Sequence, residues 1–212
     1  MKGMVRVSLL VIALCAVAPS ASAVILWDQG MSTGTYKNEY GNTTSSQNFA
    51  DKVVFGTAVQ VTGYNHFTSS ITTANNMTVR VYQDGSSAPG SLIGSQSVAL
   101  TSSTFVGTFG VSNTDVYKWT LNLAALNLAA GTYWFGASHD GTSGGGQVAL
   151  NGVSGGDGAM AKFNGSAYQH MDNTLGDQAF QVTGAPVPEP ATMVLCGLAL
   201  AAATRRRARR LA

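Results

Sequence analysis

Apolar and polar residues alternate with period two along much of the chain. Met77, Val79 and Val81 fall on one side, and Thr78, Arg80 and Tyr82 on the other. That is the pattern of a strand with one buried face. Val24–Trp27 reads as a first strand, and 28–48 as a long polar loop. Val53–Phe55 and Val59–Phe67 read as strands, the second re-phased by a bulge near Gly63. Asn75-Asn76 turns the chain, and Asp84 to Gly90 is rich in turn residues. Further strands are predicted over 92–100, 104–111 and 116–121. Leu123 to Ala130 is compatible with a short helix, but Gly131-Thr-Tyr-Trp-Phe135 follows at once, so a turn entering a core strand is preferred. Gly141 to Gly158 holds eight glycines and reads as a loop with one strand at 147–150. Asn164-Gly165 predicts a hairpin between 159–163 and 166–170, and 177–182 closes the set. Many short strands, turns between them and no helical periodicity predict an all-β fold. The architecture expected is an antiparallel two-sheet sandwich, jelly-roll-like. No fixed-period repeat points to a solenoid or propeller.

Both ends depart from this pattern. Lys2 and Arg6, the apolar run Val7 to Ala18 and Ala21-x-Ala23 compose a secretory signal peptide, cleaved after Ala23. At the other end Pro186, Pro188 and Pro190 fix φ and remove backbone donors, so this segment is expected to stay extended and outside any sheet or helix. An apolar run of thirteen residues, 191–203, comes next, then Arg205, Arg206, Arg207, Arg209 and Arg210. At about 1.5 Å per residue the run spans roughly 20 Å, short of a hydrocarbon core of about 30 Å. The arginines decide in favour of a membrane helix, since they are retained on the cytoplasmic side and their stems snorkel to lengthen the span. The expected organisation is a signal peptide over 1–23, a β-sandwich domain over 24–184 and a sorting tail over 185–212.

Charge changes the picture once the ends are set aside. The formal +2 of the whole chain becomes −4 over 24–184, from five basic and nine acidic residues. A mildly acidic domain with scattered cations has no electrostatic footprint for nucleic acid. Cys15 lies in the signal peptide and Cys196 in the tail, which leaves the domain without a disulfide, a thiolate nucleophile or a Cys-based metal site.

Candidate chemistry is thin. His66, His139 and His170 lack metal-ligand spacing, and His139-Asp140-Gly141 reads better as a strand end and turn than as a metal or sugar site. There is no Gly-x-Ser-x-Gly elbow, Glu39 is the sole glutamate outside the tail, and nothing selects a catalytic pair among the eight aspartates of the domain. No catalytic residue, metal ligand or cofactor is therefore expected. A single structural calcium is the one ion the sequence leaves room for, near Asp157 in the Gly152 to Gly158 stretch. Trp27, Trp119, Trp134 and the tyrosines offer faces for sugar stacking. Trp119 and Trp134 are expected in the sandwich core, and Tyr82 is the better surface candidate.

The tail Val187-Pro188-Glu189-Pro190-Ala191-Thr192, with its Leu/Ala/Gly run and arginine cluster, resembles the PEP-CTERM sorting signal, also catalogued as the ice-binding-protein C-terminal domain. The resemblance implies recognition by exosortase, a membrane transpeptidase, at Pro188, Glu189 and Pro190, with Arg205 to Arg210 as the stop-transfer cluster. It implies export by the Sec machinery, transit in the inner membrane and delivery to the cell surface or an exopolysaccharide matrix. An ordinary tail anchor on a proline-rich stalk is the alternative. Thr78-Val-Arg-Val-Tyr82, Pro89-Gly-Ser-Leu-Ile-Gly94, Leu128-Ala-Ala-Gly-Thr-Tyr-Trp134 and Asp177-Gln-Ala-Phe180 together resemble the choice-of-anchor β-sandwich domains often carried by PEP-CTERM proteins. Ice binding needs a flat array of regularly spaced threonines, and Thr43-Thr44 and Thr72-Thr73 do not supply one. A structural or adhesive role in a biofilm is the expected function; a carbohydrate-binding module and a secreted hydrolase are the rivals.

Overall fold

A computed structural model describes residues 23–31, 36–38, 48–69, 75–109, 114–139, 147–151, 160–163, 167–170, 177–188 and 197. The chain divides into a unit Ala23–Pro186 and a second unit comprising Met1–Ser22 and Val187–Ala212. The first unit consists of strands β1 (Val24–Gln29), β2 (Tyr36–Asn38), β3 (Phe49–Phe55), β4 (Val59–Ser69), β5 (Asn76–Asp84), β6 (Pro89–Ala99), β7 (Ser103–Phe109), β8 (Thr114–Leu128), β9 (Gly131–His139), β10 (Gln147–Asn151), β11 (Met160–Phe163), β12 (Tyr168–His170), β13 (Asp177–Gln178) and β14 (Phe180–Pro186).

These strands form two antiparallel sheets, as the alternation predicts. One sheet runs β12-β11-β3-β9-β5-β6. In the other, β4 is flanked by β14 and β8, with β1 beyond β14 and β7 beyond β8; β10 meets β4 at Val148 and Thr68 and also pairs β2 and β13. The apolar faces enclose one core. Met77, Val79, Val81, Val53, Phe55, Phe135 and Ala137 of the six-stranded sheet meet Val59, Val61, Tyr64, Leu121, Leu128, Phe180 and Val182 of the other. Burying a side chain of this kind contributes about 1.5–3 kcal/mol, so strict period two in β5 fixes which face turns inward.

Several boundaries differ from the sequence reading. The polar loop after Trp27 contains β2, and β3 begins at Phe49 rather than Val53. The bulge at Gly63 is present, and it reaches further than expected. Val61 pairs with Leu126 and Gly63 with Asn122, so three residues of β8 face Thr62 alone. Leu123 to Leu128 is thus neither helix nor turn but the end of a fifteen-residue strand. What holds it is a side chain from the opposite sheet. Gln96 Nε2 donates to Ala124 O (2.9 Å), and Ala124 N donates to Gln96 Oε1 (2.7 Å). The amide of Gln96 replaces the ladder partner that the bulge removes. Gln96→Ala is expected to cost about 1 kcal/mol, seen as a lower urea midpoint with an unchanged slope.

The expectation that Pro186 stays out of any sheet is overturned. It closes β14 and pairs with Val59 of β4. On the other flank β1 begins at Val24, opposite Gly184, so Pro186 lies past its end. A proline is tolerated at such a strand end because no ladder bond need be lost.

Candidate functional site

The outer face of the six-stranded sheet carries the side chains that a solvent-facing sheet would not need. Lys52 of β3, Trp134 of β9 and Tyr82 of β5 are register partners, and Arg80 lies two residues before Tyr82 on the same face. In the row beside them stand Ala161, Ala50 and Gly136, which bear little or no side chain. A Cβ on Gly136 would come within 2.7 Å of the Phe49 carbonyl and 3.1 Å of the Ala50 Cβ. This row is a trough, and Tyr168 of β12 uses it to reach β5.

Tyr168 packs edge-on against Tyr82, with ring centroids 5.3 Å apart at 69°. Tyr82 donates to the Tyr168 hydroxyl at 3.3 Å. Phe163 closes the other side, 5.3 Å from Tyr168. A cleft of about 150 Å³ remains, lined by Asn48, Arg80, Tyr82, Phe163 and Tyr168. Burial pushes the Tyr168 hydroxyl far above the ordinary tyrosine range; the charge and hydrogen bond of Tyr82 push the same way, and Arg80 opposes them. Tyr168 therefore stays a neutral hydroxyl.

The polar groups around the cleft are fixed from below. Arg80 Nη1 donates to Ser138 Oγ at 2.7 Å. Trp134 is fully buried and donates its Nε1 to Asp84 Oδ1 at 2.8 Å. Lys52 Nζ stands 5.1 Å above the Trp134 ring, a cation–π contact. Trp134 was expected in the core between the sheets. It is buried instead on the outer face, with Ala50 and Ala161 and against Tyr82 and Tyr168. Trp119 does pack against the inner core. Tyr82, the surface candidate, lies in the cleft wall. Tyr168, one of the tyrosines offered for sugar stacking, lines the cleft as well. Arg80 and Phe163 carry no such signal in the sequence, beyond Arg80 sharing the outward face of β5 with Tyr82.

His66 and His139 do not line this cleft; the side chain of His170 lies outside the described residues. His66 and His139 are buried on β4 and β9, and among the described residues no group of three His, Cys, Asp or Glu is placed to hold a metal ion. The proposed calcium stretch around Asp157 lies outside the described residues, as does Ala21 of the cleavage site, whereas Ala23 is exposed.

The sorting tail starts where the sandwich stops. Pro186 ends β14, and Val187 and Pro188 continue as exposed chain without strand pairing. Glu189, Pro190 and Arg205 to Arg210 lie outside the described residues, and so does the run 191–203 except Gly197, which is helical and exposed. Among the described residues no helix is long and apolar enough to cross a membrane.

Residues 186–210 match the family model of the PEP-CTERM protein-sorting motif. The resemblance seen in the tail therefore holds, with the first matched residue also the last residue of β14. No curated protein and no solved structure matches the chain. The motif marks an exported protein sorted by exosortase, with transit anchored in the membrane before surface display.

Proposed function

We propose that the sandwich is a non-catalytic module displayed at the cell surface or in an extracellular matrix, where its role is structural or adhesive within exopolysaccharide. One observation carries this reading. The sorting motif begins on the final residue of the last strand, so a cut beside Pro188, Glu189 and Pro190 would release the sandwich whole and remove the apolar run with its arginines. A tail anchor on a stalk has no need of that junction. Arg205 to Arg210 would hold the tail at the cytoplasmic face of the inner membrane until transfer. The signal peptide over 1–23 would deliver the chain to the Sec machinery.

Intact mass of the protein recovered from the surface fraction of its own host tests the reading. The expected mass starts at Val24 and ends near residue 190. A surface protein whose mass still includes Arg210 would make the tail an anchor and remove the sorting step. A carbohydrate-binding role is the second reading, favoured by the aromatic cleft between Tyr82, Phe163 and Tyr168.

A further inference from the structure

We propose that the cleft on the outer face of the six-stranded sheet binds an acidic polysaccharide through one carboxylate-bearing sugar ring, with Arg80 as the carboxylate partner. The inference deepens the surface-module reading by giving the module a ligand class and a place to hold it.

Three observations converge on this cleft. First, Arg80 makes one protein hydrogen bond, to Ser138, and no ion pair among the described residues. In a domain of net charge −4, a half-buried guanidinium beside a cleft and without a carboxylate is poised for an external anion. The single bond to Ser138 also orients the planar fork, and a guanidinium engages a carboxylate through two parallel N–H donors. Second, the walls are aromatic. Tyr82, Phe163 and Tyr168 present ring faces and edges suited to the apolar C–H surface of a pyranose. Third, hydroxyl chemistry is at hand. Tyr168 accepts from Tyr82, and its own proton is not given to any described protein acceptor, so it is available to a sugar hydroxyl.

Charge narrows the ligand further. The two cations of this face, Arg80 and Lys52, sit on neighbouring rows, and the lysine is steered over Trp134. The net negative domain exerts no general pull on a polyanion, so attraction must be local and screened by salt. A neutral glucan would use the aromatic walls and leave Arg80 unanswered.

Affinity electrophoresis of the mature protein through gels containing polygalacturonate or dextran tests the proposal. Polygalacturonate is expected to retard the protein, less so at higher salt, and dextran to leave it unretarded. Arg80→Gln is expected to weaken retardation about tenfold in apparent affinity, and Arg80→Lys to restore part of it. Thermal melts of both variants establish that they fold. No retardation by polygalacturonate, equal retardation by dextran, or folded Arg80→Gln behaving as the parent protein would each overturn the proposal. None of these outcomes touches the intact-mass result, so the ligand can fail while the sorting reading stands.

Discussion

Gly184→Val is expected to lower the thermal midpoint of the sandwich by about 10 °C, from a loss of about 3 kcal/mol. Gly184 lies on β14, between β1 and β4, where the register shifts between Thr183 and Gly184. A Cβ placed there would overlap the Gln60 carbonyl oxygen of β4 and come within 2.9 Å of both the Gln60 carbonyl carbon and the Leu26 Cδ1 of β1. The first two obstacles are backbone in a paired central strand, which cannot turn aside as a side-chain tip can. Relief requires β14 and β4 to part, and their pairing joins the two edges of that sheet. Gly56→Ala is the control: its Cβ meets nothing within 4 Å, so its effect is expected within about 0.5 kcal/mol. Differential scanning calorimetry on the two variants reads the difference directly. Equal midpoints would mean that the bulge relaxes and the close approach is not structural.

The same glycine shows where sequence reasoning stops. Gly184 reads as the end of a domain because small residues and prolines follow it. Its real constraint is a neighbour 124 residues away in the chain, Gln60. Local pattern served well where one periodicity acts alone. Met77, Val79 and Val81 of β5 were placed correctly because alternation needs no knowledge of the partner strand. The pairing of 160–163 with 168–170 followed equally from a turn dipeptide between two strand-like runs. Tertiary contacts defeated it elsewhere. Leu123 to Leu128 carries alanines that favour no strand, yet Gln96 from the other sheet holds it extended. Trp134 reads as a residue of the core between the sheets, while its burial comes from Tyr168 lying across a trough of small residues on the outer face. The cleft was legible only as separate tyrosines, Tyr82 and Tyr168, because its walls come together from Asn48 before β3 and from β5, β11 and β12. The tail was the most legible part, since its signal is linear and needs no fold to be read.

The second large effect is expected at Asp51, where the two sheets are tied by a carboxyl group inside the sandwich. Asp51 is fully buried on β3, in the face that also bears Val53 and Phe55. Its Oδ1 accepts from the Lys52 amide at 2.7 Å, and its Oδ2 from the Gln178 amide of β13 in the other sheet at 2.6 Å. Two short bonds to backbone N–H groups are what a buried carboxylate needs in place of water. Around it the interior is unusually polar. Gln29 and Gln178 are fully buried, and their side-chain amides find no partner among the described residues. Buried groups of that kind are ordinarily completed by ordered water. Asp51→Asn keeps the shape and still costs heavily, because an amide offers one acceptor oxygen where two N–H groups converge. Its NH₂ would face one of those donors. The expected loss is about 3 kcal/mol, close to that of Asp51→Ala, because either change strands a buried amide hydrogen. Hydrogen exchange locates the effect: protection of the Gln178 amide should collapse in both variants, while Val79 and Val81 of β5 keep theirs up to global unfolding. An Asp51→Asn protein as stable as the parent would mean that apolar packing alone joins the sheets at this end.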